Sequence, residues 1–165
     1  MAVLNVHERR LPVPPSVVGA LLDTLASEDD RLWPDENWPA MRLDHGLAPG
    51  AAGGHGPIRY EVVHHVPGQW VRFAFTAPAG FEGFHEFTVR GDTGGSVLRH
   101  TLAMRTHTTA RVSWPLLFRP LHAALIEDSL AKALAEVGGV RERVRWTPLV
   151  RGLRRLLARF EPGRG

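Results

Sequence analysis

An α+β domain, in which a curved antiparallel sheet wraps around a long C-terminal helix, is predicted by three features of this 165-residue chain. From Gly56 to His107 apolar and polar residues alternate across two glycine-containing turns, the period of strands with one covered face. The following stretch, WPLLFRPLHAALIEDSLAKALAEV, has helical spacing and is apolar around much of its first half, so it must lie against another surface. A strand and a short helix precede the meander, and that order in a chain of this size describes two layers around one core.

Val3 to Leu11 reads as the first strand, with imperfect alternation. PPSVVGALLDTLAS reads as a helix, because proline is tolerated in a first turn and Val17, Val18, Leu21, Leu22 and Leu25 form one stripe. The acidic, proline-rich EDDRLWPDENWPAM leads to a short strand within Met41 to Leu47, then to APGAAGGHG, read as a mobile loop. Pairing Val66 with Gln69 across the Pro67–Gly68 turn puts His64 opposite Val71, Val62 opposite Phe73 and Tyr60 opposite Phe75, all on the covered face. A turn at Asp92 and Thr93 sets Phe87 opposite Leu98 and His85 opposite His100, and a slip of two would leave both histidines facing inward. Pro115 and Pro120 confine the regular part of the closing helix to Leu121 through Val137, and Gly138 and Gly139 end it.

Composition narrows the chemistry. The absence of cysteine removes disulfides, thiolate nucleophiles and cysteine metal sites. No apolar run is long enough for a membrane span and the N-terminus lacks a signal-peptide core, so a cytoplasmic location is expected. Residues 141–165 hold eight arginines against Glu142 and Glu161, a balance of +6, which leaves the other 140 residues at −3. A mildly acidic body argues against a nucleic-acid partner and leaves the basic tail as the only electrostatic candidate; no nucleic-acid partner is expected. The chain therefore divides into a ligand-binding domain over 1–140 and a basic extension over 141–165. In that extension Leu149, Val150, Leu153, Leu156, Leu157 and Phe160 share one helical face, suited to docking on this chain, to self-association through 149–160, or to an anionic membrane surface.

The segments GPIRYEVVHHVPGQWVRFAF, GFEGFHEFTV, VLRHTL and WPLLFRPLHAALIEDSLAKA resemble the START-like, or SRPBCC, superfamily with its helix-grip fold, and within it the bacterial polyketide cyclase/dehydrase-like proteins. The resemblance covers residues 2 to 139. It implies a deep apolar cavity between sheet and closing helix that takes lipids, polyketides or similar hydrophobic molecules, and it selects no single activity.

On this reading Tyr60, Val62, His64, Phe73, Phe75, His85, Phe87, His100, Leu102 and His122 are the expected ligand-binding residues. His85 and His100 are candidates to orient a carbonyl or hydroxyl, or to act as acid and base in a cyclase- or aromatase-type reaction, since imidazole titrates near neutrality. A zinc site at His85, His100, His122 and Glu127 is the sharper alternative, but no HExxH-like spacing accompanies it, and neither metal nor cofactor is expected. Ser96 lacks the glycine that a nucleophile elbow requires. Trp33 and Trp38 fit either a lid or, better, anchors that pin their loop to the core.

Overall fold

A computed structural model describes residues 1–140 and 144–158. Seven antiparallel strands form one sheet: β1 (Ala2–Leu11), β2 (Arg42–Leu43), β3 (Ala52–His55), β4 (Ile58–Val66), β5 (Trp70–Ala77), β6 (Phe81–Asp92) and β7 (Gly95–Thr106), in the spatial order β1-β7-β6-β5-β4-β3-β2. Helix α1 (Pro15–Leu22) covers the β6–β7 end. A helical run comprising α2 (Ala110–Ser113), a π-helical turn (Trp114–Phe118) and α3 (Arg119–Glu136) packs across the concave face, and α4 (Pro148–Ala158) docks on α3. This is the helix-grip α+β architecture.

Alternation is what builds the sheet. On β4 and β5 the expected pairs Val62–Phe73 and Tyr60–Phe75 form, and all of these residues except Phe75 are fully buried. The pairing nearer the turn is different: a bulge between Val62 and His64 inserts one residue, so His65 rather than His64 lies opposite Val71. His64 is thereby turned to the exposed side, where it stacks on Trp70 at 5.1 Å.

The β6–β7 hairpin turns at Thr93 and Gly94, two positions along in register from a turn at Asp92 and Thr93. His85 pairs with Leu102 and His100 with Phe87. Gly94 adopts φ +81°, which glycine takes without strain and threonine does not, so the turn settles there. Both histidines still face inward, as a slip of two requires.

The glycine-rich loop expected at APGAAGGHG is instead strand β3, paired with β2 and β4. Glycine there is a steric requirement. A β-carbon at Gly53 would lie 2.0 Å from the Arg42 carbonyl oxygen, and one at Gly54 would lie 1.9 Å from that of Ile58.

The helical run also starts earlier than proline placement suggests, because the widened π turn accommodates Pro115 and Pro120, which lack the N–H a tighter helix would use. Helix α3 is fixed to the 30–38 loop by polar bonds from its inner side. Ser129 Oγ donates to the Leu32 carbonyl (3.0 Å), and Lys132 Nζ, the sole lysine, donates to the carbonyls of Trp33 (2.7 Å) and Asp30 (3.2 Å). Asp30 in turn accepts from the amides of Trp33, Leu32 and Ala26. Lys132→Met is expected to lower unfolding stability by about 1–3 kcal/mol, since it strands buried carbonyls. Urea denaturation measures this, and a midpoint unchanged from the parent would contradict it.

Candidate ligand-binding site

Sheet and helix separate over part of their length, enclosing a cavity of about 590 Å3. Its sheet wall includes Phe75, His85, His100 and Leu102, and its helix wall Trp114, Phe118, Leu121, His122, Leu125 and Ile126. The strand period sets the first group and the 3.6-residue helical period the second. Trp33 and Trp38 stand at the side, nearly fully buried, with Trp33 Nε1 donating to the Pro39 carbonyl and Trp38 Nε1 to Asp128. They are pinned as anchors and line the cavity at the same time.

Five of the ten sequence-named residues, Phe75, His85, His100, Leu102 and His122, line this space. Tyr60, Val62, Phe73 and Phe87 do not. They form the packed layer beside it, because the cavity opens only where the sheet bends away from α3. His64 is on the other face altogether, owing to the bulge in β4.

His85 and His100 meet diagonally across β6 and β7, with His100 Nε2 and His85 Nδ1 3.4 Å apart. His85 stacks on Phe73 and takes the edge of Tyr60, both at 4.8 Å between ring centres, so its plane is held by packing. His122 reaches down from α3 to within 5.0 Å of the His100 ring.

Two further histidines belong to the same region and are not evident from the sequence. His55 lines the cavity at the end of β3, 4.7 Å from Trp33. His7 on β1 pairs with His100 across the sheet and approaches His122 at 6.2 Å. Glu127 faces His7 (2.6 Å) and Arg9 (3.0 Å), so the carboxylate proposed for a zinc site is engaged on the β1 side. The inward run Val3, Asn5, His7, Arg9 was the available signal for His7, but its polar members disguise it as an exposed face.

Burial governs the electrostatics. It holds His85 and His100 well below the ordinary imidazole range, and the neighbouring imidazoles add to the effect. His122 falls to about 3 through burial and the nearby His7 and His55. His55 falls to about 4 through burial and the charge on Arg59. At neutral pH these four rings are uncharged, each with one N–H and one bare nitrogen. Burial also keeps the Tyr60 hydroxyl protonated far above its usual range.

The C-terminal extension contributes to the cavity through Arg154 and Leu157 of α4. Val150 is buried and Leu153 and Leu157 pack on the core, so much of the helix's apolar stripe is turned toward its own chain. Trp146 meets Trp38 edge to face at 5.4 Å between ring centres and shares Asp128 with it as acceptor, while the Arg154 guanidinium lies 4.8 Å above Trp38 and donates to the Asn37 carbonyl. Arg141, Arg143, Arg159, Phe160 and Arg164 lie outside the described residues. No helix among the described residues is long and apolar enough to cross a membrane.

The sequence matches no family model and no curated protein. Solved structures do share its fold. CalU16 from Micromonospora echinospora aligns over 96% of this chain and 86% of its own at 12% identity, with a TM-score of 0.60. A norcoclaurine synthase point mutant from Thalictrum, in complex with a transition-state analogue, aligns over 84% and 98% at 13% identity (TM-score 0.60). Ara h 8.0201 aligns over 83% and 98% at 13% identity (TM-score 0.55). At such identities the likeness is one of architecture. Strand order, closing helix and these alignments together give the chain a helix-grip fold, the architecture these structures share.

Proposed function

We propose that the protein binds a small hydrophobic molecule, of the lipid or polyketide kind, in the cavity between sheet and α3, with His85 and His100 orienting its polar end. The observation that carries this reading is a cavity of about 590 Å3 whose walls are mainly aromatic and aliphatic and whose polar groups, Arg154 apart, are mainly neutral imidazoles. Its size and chemistry are those of a small-molecule site. Burying roughly 300 Å2 of apolar ligand surface is worth about 7 kcal/mol before association costs, enough for micromolar binding. The norcoclaurine synthase, caught with a transition-state analogue, is in keeping with ligand occupancy of this fold.

Titration with the uncharged fluorophore N-phenyl-1-naphthylamine tests the proposal. Saturable 1:1 enhancement with a dissociation constant on the order of micromolar is expected. A linear, non-saturating response would count against it.

The contact between His85 and His100 favours a second reading, a cyclase- or aromatase-type enzyme in which the two rings pass a proton to or from a bound chain. His85→Gln and His100→Gln separate the two readings. Turnover lost with binding retained supports the enzyme, whereas unchanged substrate consumption removes the acid-base role.

A further inference from the structure

Four ring nitrogens beside the cavity have no hydrogen-bond partner among the described residues: His85 Nε2, His100 Nδ1 and both nitrogens of His122. All three rings line the cavity, and the His85 and His100 residues are only 5% and 1% exposed. Buried polar atoms are ordinarily paired, so a cluster of orphans around an open space points to a ligand that pairs them.

A proton count says what that ligand presents. Each neutral imidazole owns one N–H and one bare nitrogen. The His85–His100 contact consumes one of each, and whichever ring donates, the two outer nitrogens remain as one donor and one acceptor. His122 adds another of each. The three rings therefore offer two donors and two acceptors in either tautomeric arrangement. Among the described residues the one Lys, Arg, Asp or Glu that lines the cavity is Arg154 on α4, and it is engaged with the Asn37 carbonyl and the Trp38 ring.

We propose that His85, His100 and His122 form a recognition site for an uncharged hydroxyl, phenolic or alcoholic, carried on an otherwise apolar ring system. A hydroxyl both donates and accepts, which matches the rings; a carboxylate only accepts and an ammonium only donates, and each would bring a charge into a poorly solvated space. Phe75, Phe81, Trp114 and Phe118 supply flat apolar walls for the rings that bear it. The proposal rests on the reading of the cavity as a ligand site.

Three probes of one shape test it on the full chain at neutral pH by calorimetry: 2-naphthol, 2-methylnaphthalene and 2-naphthoate. The naphthol is expected to bind about tenfold more tightly than the methyl compound, the increment of one well-made buried hydrogen bond, and the naphthoate more weakly than either. His122→Phe, which keeps a ring but removes both nitrogens, is expected to hold the affinity for 2-methylnaphthalene and reduce the advantage of the naphthol. Equal affinity for naphthol and methylnaphthalene, or a preference for naphthoate, would overturn the hydroxyl site while leaving the cavity reading standing. Binding of none of the three would overturn both. The comparison among probes needs no variant, so a poorly folding substitution does not blunt it.

Discussion

Lowering the pH from 7.5 to 5 is expected to unfold the protein. His55, His85, His100 and His122 are all held below the ordinary imidazole value of 6.5 in the folded state, His55 at about 4 and His122 at about 3. A histidine with a depressed folded-state value takes its proton first in the unfolded chain. Its contribution is therefore complete above about pH 6.5 and is lost as pH falls toward the folded value, at about 1.4 kcal/mol per pH unit and per group. By pH 5 His55 and His122 have each given up about 2 kcal/mol, and His85 and His100 add to that loss, which is thereby a large part of the stability of an ordinary domain. Urea unfolding at stepped pH values measures this. The midpoint is expected to fall steeply below pH 6.5, and His122→Phe is expected to reduce the slope by one proton. A midpoint that holds steady from pH 7.5 to 5 would mean that the rings are already solvated or paired.

The second large effect concerns the cavity itself. Leu125 is buried on α3 and lines the cavity, so Leu125→Trp directs an indole toward the space where a guest would sit. Denying a ligand about a third of its buried apolar area removes about 2.5 kcal/mol, a loss on the order of 50-fold in affinity for N-phenyl-1-naphthylamine. Stability is expected to change by less than about 1.5 kcal/mol, since the added volume fills a void. Retained affinity in a folded Leu125→Trp variant would place the binding site elsewhere.

The parts of this arrangement that sequence makes legible are those where one local rule acts alone. Val62–Phe73 and Tyr60–Phe75 follow from the two-residue period, and His85 and His100 face inward under either even register of the hairpin. Where backbone geometry intervenes, side-chain pattern misleads. The bulge at Val63 expels His64 by one extra residue, and nothing in EVVHHVPG marks it. In β3 glycine is selected by close backbone approach, so a strand carrying a cavity histidine, His55, has the composition of a loop. His7 is hidden among polar neighbours whose partner, Glu127, is 120 positions away. The amphipathic character of α4 is plain in the sequence, but its seat against Trp38 and Asp128 is a matter of tertiary packing.

Methyl-resolved NMR during titration with 2-methylnaphthalene tests the cavity most directly. Saturable shifts are expected at the methyl groups of Leu102, Leu121, Leu125, Ile126 and Leu157, which surround the space, with the outward Leu4 and Leu116 unmoved. Shifts confined to exposed methyls such as Leu4 and Leu116, or none at all, would contradict an apolar guest lodged between sheet and helix.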